Sequence, residues 1–309
     1  MRLNSKSEIR GAHAPSRVAG CALASGVGAR IPGAETPHDC VPPGFSARAR
    51  KTAPEGGCAP RSNSAVWLNV TLPVRNGAAL LAANAPRVSA FLEERWPGEY
   101  ELVLAENGST DATGAVAERL AAELPATRVV RRAQAGRGGA LRAVWGASAA
   151  TVLSYMDVDL SSDLAALPGL VRAVAEEGFA LAVGSRRLNP ATTRRGWRRE
   201  VLSRGHNWLA RALVGLPVRD AQCGFKAIHR SAAQALLPRV RDEQWFFDTE
   251  LLALAAREGF RIREIPVTWT EARTSQVRIV GTVWEMVRGM WRVRRGAEGG
   301  ARVRREEPT

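Results

Sequence analysis

From Val66 onward the chain alternates, at short and regular intervals, between strand-like and helix-like segments, and few folds accommodate that pattern. Trp67-Leu68-Asn69-Val70-Thr71-Leu72 reads as a strand ended by Pro73. Residues 78–95 read as a helix despite Pro86, 100–105 as a second strand, and 112–124 as a helix with Thr110 or Asp111 as its N-cap. A third strand at 127–130, a helix at 138–150 and a fourth strand at 151–156 follow. Parallel neighbours need crossovers of about a dozen residues, usually helical. The spacing therefore predicts an α/β chain: a Rossmann-like, mostly parallel sheet with helices on both faces. Ligands of such sheets sit at the carboxyl ends of the strands. The candidate site positions are thus 73–77, 106–111, 134–139 and 157–163.

The first 64 residues have a different texture. They show neither period and carry the breaker clusters Ile31-Pro32-Gly33, Val41-Pro42-Pro43-Gly44 and Pro54-Glu55-Gly56-Gly57. Such a segment buries too little apolar surface to offset chain entropy, so residues 1–64 are expected to be a disordered extension. The folded domain is expected over 65–275, with an amphipathic basic helix and tail at 276–309. No apolar run reaches the roughly 18 residues of a membrane span. No apolar stretch follows Arg2 and Lys6 as in a signal peptide, so a cytoplasmic location is the expectation. Cys21, Cys40, Cys58 and Cys223 include no Cys-x-x-Cys pair, which argues for free thiols over a zinc site.

The net charge of +14 admits three readings: nucleic acid, an anionic membrane or substrate, or solvated arginine. Only Lys6, Lys51 and Lys226 are lysines, so codon bias explains the excess as well as function does. Placement is more informative. Residues 277–295 set Val280, Val283, Trp284, Val287, Met290 and Trp291 against Arg278, Arg288, Arg292, Arg294 and Arg295 at helical spacing. This segment suits either a membrane interface or packing on its own domain.

The sharpest chemical signal is Tyr155-Met156-Asp157-Val158-Asp159, two carboxylates closing an apolar strand. If the extended geometry persists, both point to one side. Converging carboxylates repel unless a cation joins them, and Mg²⁺ typically takes one or two carboxylates plus phosphate oxygens. The alternative is a solvated acidic turn or helix cap. Glu106 to Asp111 follows a strand, where it can hydrogen-bond a base or ribose. Gly136-Arg137-Gly138-Gly139 opens a helix, where glycines permit close backbone approach and Arg137 offers charge to a phosphate.

Order and spacing make the set specific. Leu72-Pro73-Val74-Arg75-Asn76, Glu106 to Thr113, Gly136 to Arg142, Asp157-Val158-Asp159-Leu160, Gly184-Ser185-Arg186, Asp220 to Lys226 and Trp245 to Leu252 occur in sequence. Over roughly 68–295 the chain resembles the family 2 glycosyltransferases of GT-A fold, particularly the dolichyl-phosphate glucosyl- and mannosyltransferase branch. The resemblance implies that Pro73, Arg75, Glu106, Arg137, Gly138, Asp157 and Val158 line the nucleotide-sugar site. It implies a Mg²⁺ or Mn²⁺ ion on Asp157 and Asp159, with Asp159 the more direct ligand. Asp159, Arg186, Asp248 and Glu250 carry over as catalytic residues, and Arg199, Arg204 and Lys226 as contacts of the acceptor phosphate. Arg75-Asn76-Gly77 departs from the family's usual Tyr-Asn-Glu, and Glu106-Asn107 from Asp-Asp, both beside the nucleoside.

The implied reaction is inverting transfer of glucose or mannose from a nucleotide diphosphate to a polyprenyl phosphate. Membrane contact is expected to be peripheral, through the C-terminal helix, or delegated to an integral membrane partner. Nucleic acid is not an expected partner. A transferase using a hydroxyl acceptor would need Asp248 or Glu250 as its base. A catalytically weak sugar-nucleotide-binding protein is the remaining alternative.

Overall fold

The computed structural model describes residues 66–188, 193–194, 197–270, 286 and 288–295; the side chains of 193–194, 197–204 and 206 are outside that description. The first half follows the predicted order: β1 (Leu68–Val74), α1 (Ala78–Arg95), β2 (Tyr100–Asn107), α2 (Thr113–Glu123), β3 (Thr127–Arg132), α3 (Arg137–Ala147) and β4 (Val152–Met156). The second half continues with α4 (Leu167–Ala175), β5 (Leu181–Ser185), β6 (Thr193–Arg194), α5 (Trp197–Val214), β7 (Phe225–His229) and α6 (Arg230–Leu236). It ends with α7 (Phe247–Arg257), β8 (Ile262–Pro266) and β9 (Trp269–Thr270), and residues 288–295 are helical as well. The expected extension at 1–64 lies outside the described residues.

Seven strands form one sheet in the order β3-β2-β1-β4-β7-β5-β8, and β6 pairs with β9. The pairings β2–β3, β1–β2, β1–β4 and β5–β8 are parallel. β7 runs antiparallel to both neighbours, β4 and β5. The mostly parallel α/β sheet read from the sequence is therefore present, with one reversed strand inserted between β4 and β5.

All seven residues of β1 are buried, as expected of a strand covered on both faces. Alternation then divides the core in two. Leu102, Leu104, Val152 and Met156 join one apolar cluster with α1, α2 and α4. Val103, Ala105, Leu153 and Tyr155 join the other with α3, α6, α7 and part of α5. Each fully buried leucine contributes about 1.5–3 kcal/mol of burial free energy, which is why a single register slip is excluded. Pro86 lies within α1 without ending it. The expected N-cap at Thr110 or Asp111 is displaced: Ala112 occupies the cap without a side-chain bond, and Asp111, one residue earlier, accepts the Thr113 N–H on Oδ1 at 3.0 Å.

The chain runs outward from β1 to β2 and β3, then returns to β4 on the other side of β1. This reversal of strand order opens a crevice at the carboxyl ends of β1 and β4. All the loops singled out in the sequence border it.

Candidate active site

One wall of the crevice is a shelf made by the turns after β1 and β2. Asn76, held at φ +48°, accepts the Thr110 N–H on Oδ1 at 2.8 Å and donates its own N–H to Ser109 Oγ at 3.1 Å. The Gly77 N–H reaches Thr113 Oγ1 at 2.9 Å, and Asn107 donates Nδ2 to the Val74 carbonyl at 2.9 Å. Glu106 is buried; it accepts the Ser109 N–H at 2.6 Å and faces Arg131 Nε at 3.4 Å. Arg75 is exposed and bonds the Gly108 carbonyl at 3.3 Å. Pro73, Arg75 and Glu106 are thus brought together on adjacent strands, with the Glu106 carboxylate spent on folding its own turn.

The floor is the Asp157-Val158-Asp159 loop. Extended geometry does not persist through it: β4 ends at Met156, the Leu160 N–H returns to the Asp157 carbonyl at 3.1 Å, and Leu160 turns at φ +49°. Asp159 Oδ1 accepts the Ser161 N–H at 3.0 Å. Asn84 of α1 holds the Val158 carbonyl at 2.9 Å. The antiparallel insertion of β7 sets Tyr155 opposite Lys226, so Gly224 lies beside Asp157 and accepts its N–H at 3.0 Å. A Cβ on Gly224 would stand 1.9 Å from Asp157 Oδ2, so any other residue there would displace the carboxylate.

Beneath the floor lies a buried ionic network. Asp248 is fully buried on α7. Its Oδ1 accepts Tyr155 OH at 2.5 Å and Lys226 Nζ at 3.0 Å; its Oδ2 is bonded by Arg137 Nη2. The same guanidinium reaches Asp157 Oδ1 through Nη1 at 3.2 Å. It stacks on Trp245 at 4.4 Å and on Tyr155 at 5.6 Å from the ring centroids. Burial would raise the Asp248 pKa, but Lys226 and Arg137 hold it below the ordinary carboxylate range. Asp157 moves the other way: burial and the charges of Asp159 and Asp248 raise it against the pull of Arg137. Burial and Asp248 push Tyr155 well above its usual value, so it stays a neutral donor.

The opposite wall is tied by Arg186, at the end of β5. Its Nε and Nη2 bond Asp220 Oδ2 and Oδ1 at 2.6 and 2.7 Å, and its guanidinium lies 5.6 Å from the Trp269 ring centroid. Burial would raise the Asp220 carboxyl, yet Arg186 keeps it low. This fork orders the turn that carries Gly224. Cys223 is buried in the same turn, its thiol pushed up to about 11 by burial, which is the state of a packing residue.

Several expected roles meet a different geometry. Lys226 is 1% exposed and committed to Asp248, beneath the crevice rather than facing an acceptor. Glu250 lies two residues beyond Asp248 on α7 and points elsewhere: it accepts the Arg241 and Asp242 N–H groups and pairs with Arg292 at 3.2 Å. It braces the C-terminal helix and is not brought to Asp157. Gly138 and Gly139 do not leave room for a ligand; added Cβ atoms would meet Phe247 Cβ at 2.5 Å and Arg132 Nη1 at 1.7 Å. Those glycines let α3 pack on α7 and β3. The side chains of Arg199 and Arg204 lie outside the described residues. Tyr155, Trp245 and Asp220 join the site although sequence motifs give them no separate role. For Tyr155 the signal was present: it stands two residues before Asp157, on the face of β4 that meets α3 and α7.

A crevice at the switch point of this sheet, floored by an Asp-x-Asp turn, is the architecture of a GT-A nucleotide-sugar transferase. Comparison with known proteins agrees. The model of "Glycosyl transferase family 2" matches residues 70–237, and the chain belongs to that family. It is 38% identical over 224 residues to Glycosyltransferase AglD of Haloferax volcanii, covering 72% of this chain and 36% of that one. The chain thus spans about a third of that relative's length. It is 27% identical over 231 residues to the dolichyl-phosphate beta-glucosyltransferase of Saccharomyces cerevisiae, covering 69% of each chain. Among solved structures it resembles the glucosyl-3-phosphoglycerate synthase of Mycobacterium tuberculosis in complex with Mn²⁺, UDP and glucosyl-3-phosphoglycerate. That match has TM-score 0.53 and 22% identity, and covers 72% of this chain and 76% of that one. The chain is a glycosyltransferase.

Proposed function

We propose that this protein moves glucose or mannose from a nucleotide diphosphate to a polyprenyl phosphate, inverting the anomeric carbon. The observation that carries the acceptor class is the state of Asp248. A hydroxyl acceptor must lose its proton to a base with a free oxygen near the attack line. Asp248 has both oxygens engaged, and its basicity is lowered by Lys226 and Arg137. A phosphate monoester has a second pKa of about 6 and is already an anionic nucleophile near neutral pH. It needs orientation and positive charge, not proton removal. The yeast relative, by its name, acts on a dolichyl phosphate, which supports the same acceptor class.

The floor residues fit a hard divalent cation. Among the described residues no cluster of three or more His, Cys, Asp and Glu side chains exists that could form a closed metal cage. Two carboxylates from one loop, with the remaining positions left to phosphate oxygens and water, is the mode in which Mg²⁺ or Mn²⁺ is held with a substrate. Asp157 and Asp159 are the side chains that would hold it, Asp159 being ordered by the Ser161 N–H on its Oδ1. When bound, such an ion supplies charge to the leaving diphosphate. The protein's own contribution is preorganisation: Asn84 fixes the loop at Val158, Gly224 seats Asp157, and the shelf from Asn76 to Thr113 receives the nucleoside.

No described helix is long and apolar enough to cross a membrane. Met290 and Val293 are buried in the domain core, so one face of the C-terminal helix is packed. Trp291 remains 52% exposed and Trp208 on α5 64% exposed, which supports peripheral contact with the cytoplasmic face of a membrane, where the acceptor resides. An integral partner would serve the same end.

The test is radiolabelled transfer from UDP-glucose and GDP-mannose to a short polyprenyl phosphate, with Mn²⁺ or Mg²⁺ and with chelator. Metal-dependent label in the lipid phase, lost in Asp159→Ala, is the expected result. Metal-dependent release of free sugar without lipid label would overturn the acceptor assignment. Absence of turnover with every donor would overturn the reading entirely.

A further inference from the structure

We propose that Arg137 is a built-in counter-ion of the Asp-x-Asp loop, holding in the donor-free protein the place beside Asp157 that the divalent cation takes, so that metal alone binds weakly. This rests on the metal-dependent reading above. Three observations carry it. First, the Asp157 carboxylate is seated against Gly224, where a Cβ would stand 1.9 Å from Oδ2 and 2.6 Å from Oδ1. Oδ1 is the oxygen that Arg137 Nη1 occupies at 3.2 Å. Second, Arg137 cannot leave the site. Its other edge is bonded to Asp248, its faces stack on Trp245 and Tyr155, and its side chain is 10% exposed. Third, its Nε is buried and has no hydrogen-bond partner. Buried guanidinium N–H groups are ordinarily satisfied, so the guanidinium that bonds Asp157 carries an N–H left over from the donor-free arrangement.

The consequence is ordered loading. A bare cation meets a carboxylate that is already neutralised and a guanidinium that repels it. A cation arriving with a diphosphate brings anionic oxygens for which Arg137 can exchange Asp157, while Asp248 keeps the guanidinium within reach. Arg137 is thus a positioning residue that couples metal affinity to the donor.

The test measures Mn²⁺ binding to the full chain from the free-ion electron paramagnetic resonance signal, with and without UDP. Wild type is expected to bind Mn²⁺ weakly alone and tightly with UDP. Arg137→Met is expected to bind Mn²⁺ alone at least about tenfold more tightly, about 1.4 kcal/mol, whereas Arg137→Lys, which keeps the charge, stays near wild type. Because Arg137→Met leaves Asp248 with Lys226 alone, the pair Arg137→Met with Asp248→Asn is measured against Asp248→Asn, and the same tightening is expected. A merely structural Arg137 would lower thermal stability without tightening Mn²⁺. If wild type binds Mn²⁺ with UDP and neither arginine-free protein gains affinity for Mn²⁺ alone, the inference fails and the metal reading stands. If no protein binds Mn²⁺ with or without UDP, both fail.

Discussion

Asp248→Asn removes one charge and almost no volume, from a carboxylate that is 0% exposed. In the native protein that charge faces Lys226 at 3.0 Å and the Arg137 guanidinium, and it accepts Tyr155 OH at 2.5 Å. An amide can turn its oxygen either to Tyr155 and Lys226 or to Arg137, so its NH₂ must face a donor. Lys226, 1% exposed, would then lose its ion-pair partner and Arg137 would keep Asp157 alone of its two. Breaking a buried pair from one side costs about 3–5 kcal/mol, because it leaves an uncompensated buried charge. For a domain of this size each kcal/mol moves Tm by about 2–4 °C, so the expected fall is about 6–20 °C. Urea unfolding of wild type and variant checks the free energy directly, with an unchanged m-value as the sign that the native state is intact. A loss under about 1 kcal/mol would refute the network as a source of stability. The same variant separates positioning from proton transfer. Removing a general base costs about 10²–10⁴ in rate; transfer to polyprenyl phosphate by folded Asp248→Asn is expected to fall by less than a hundredfold.

Gly224→Ala sets a Cβ 1.9 Å from Asp157 Oδ2; Mn²⁺ affinity in the presence of UDP should fall at least about tenfold, and unchanged affinity would show that Asp157 does not hold the ion. Acid titration of stability follows from the carboxylates whose pKa values lie lower in the folded protein, Asp220 and Asp248. Their contribution is complete above the unfolded value of about 3.9 and is lost as pH falls through the lower folded values. Urea midpoints should therefore fall below about pH 4, and Asp220→Asn, already destabilised at neutral pH, should show a flatter acid limb; equal slopes would contradict the assignment. Cys223, buried with its thiol pushed up to about 11, should resist iodoacetamide near pH 8 in the folded protein and react once urea unfolds it, as followed by mass spectrometry. Glu250→Gln should lower Tm through the loosened contact with Arg292 at 3.2 Å while leaving the Mn²⁺ affinity in place.

Much of the first half was legible before folding. The alternation of periods two and 3.6 marks β1 through β4 and their helices, because both patterns arise from one face meeting a core. Turn chemistry marks the loops that follow the strands, where ligands of a parallel sheet bind, so the shelf and the Asp-x-Asp loop stand out in the sequence. Strand ends were less legible, since β1 runs through Pro73 to Val74 and β2 and β3 reach Asn107 and Arg132, beyond the expected 105 and 130. Legibility failed where a residue type has two uses. Glycines before a helix suit either a phosphate or a tight helix contact, and Gly138 and Gly139 serve the contact. An acidic pair such as Asp248 and Glu250 reads as one motif. An α-helix turns residues two apart to different sides, and here one holds Arg137 while the other braces the C-terminal helix.

What the sequence by itself determined is therefore what short-range physics controls: element type and order, the family, and the loop that carries the paired carboxylates. Only the tertiary structure decided that β7 enters the sheet reversed between β4 and β5, that Gly224 seats Asp157, and that Arg137 meets a carboxylate 111 residues away. These depend on which buried charges find each other when distant segments share a low-dielectric interior. Pairing of that kind leaves no periodic trace along the chain, since burial sets its strength and topology chooses its partners.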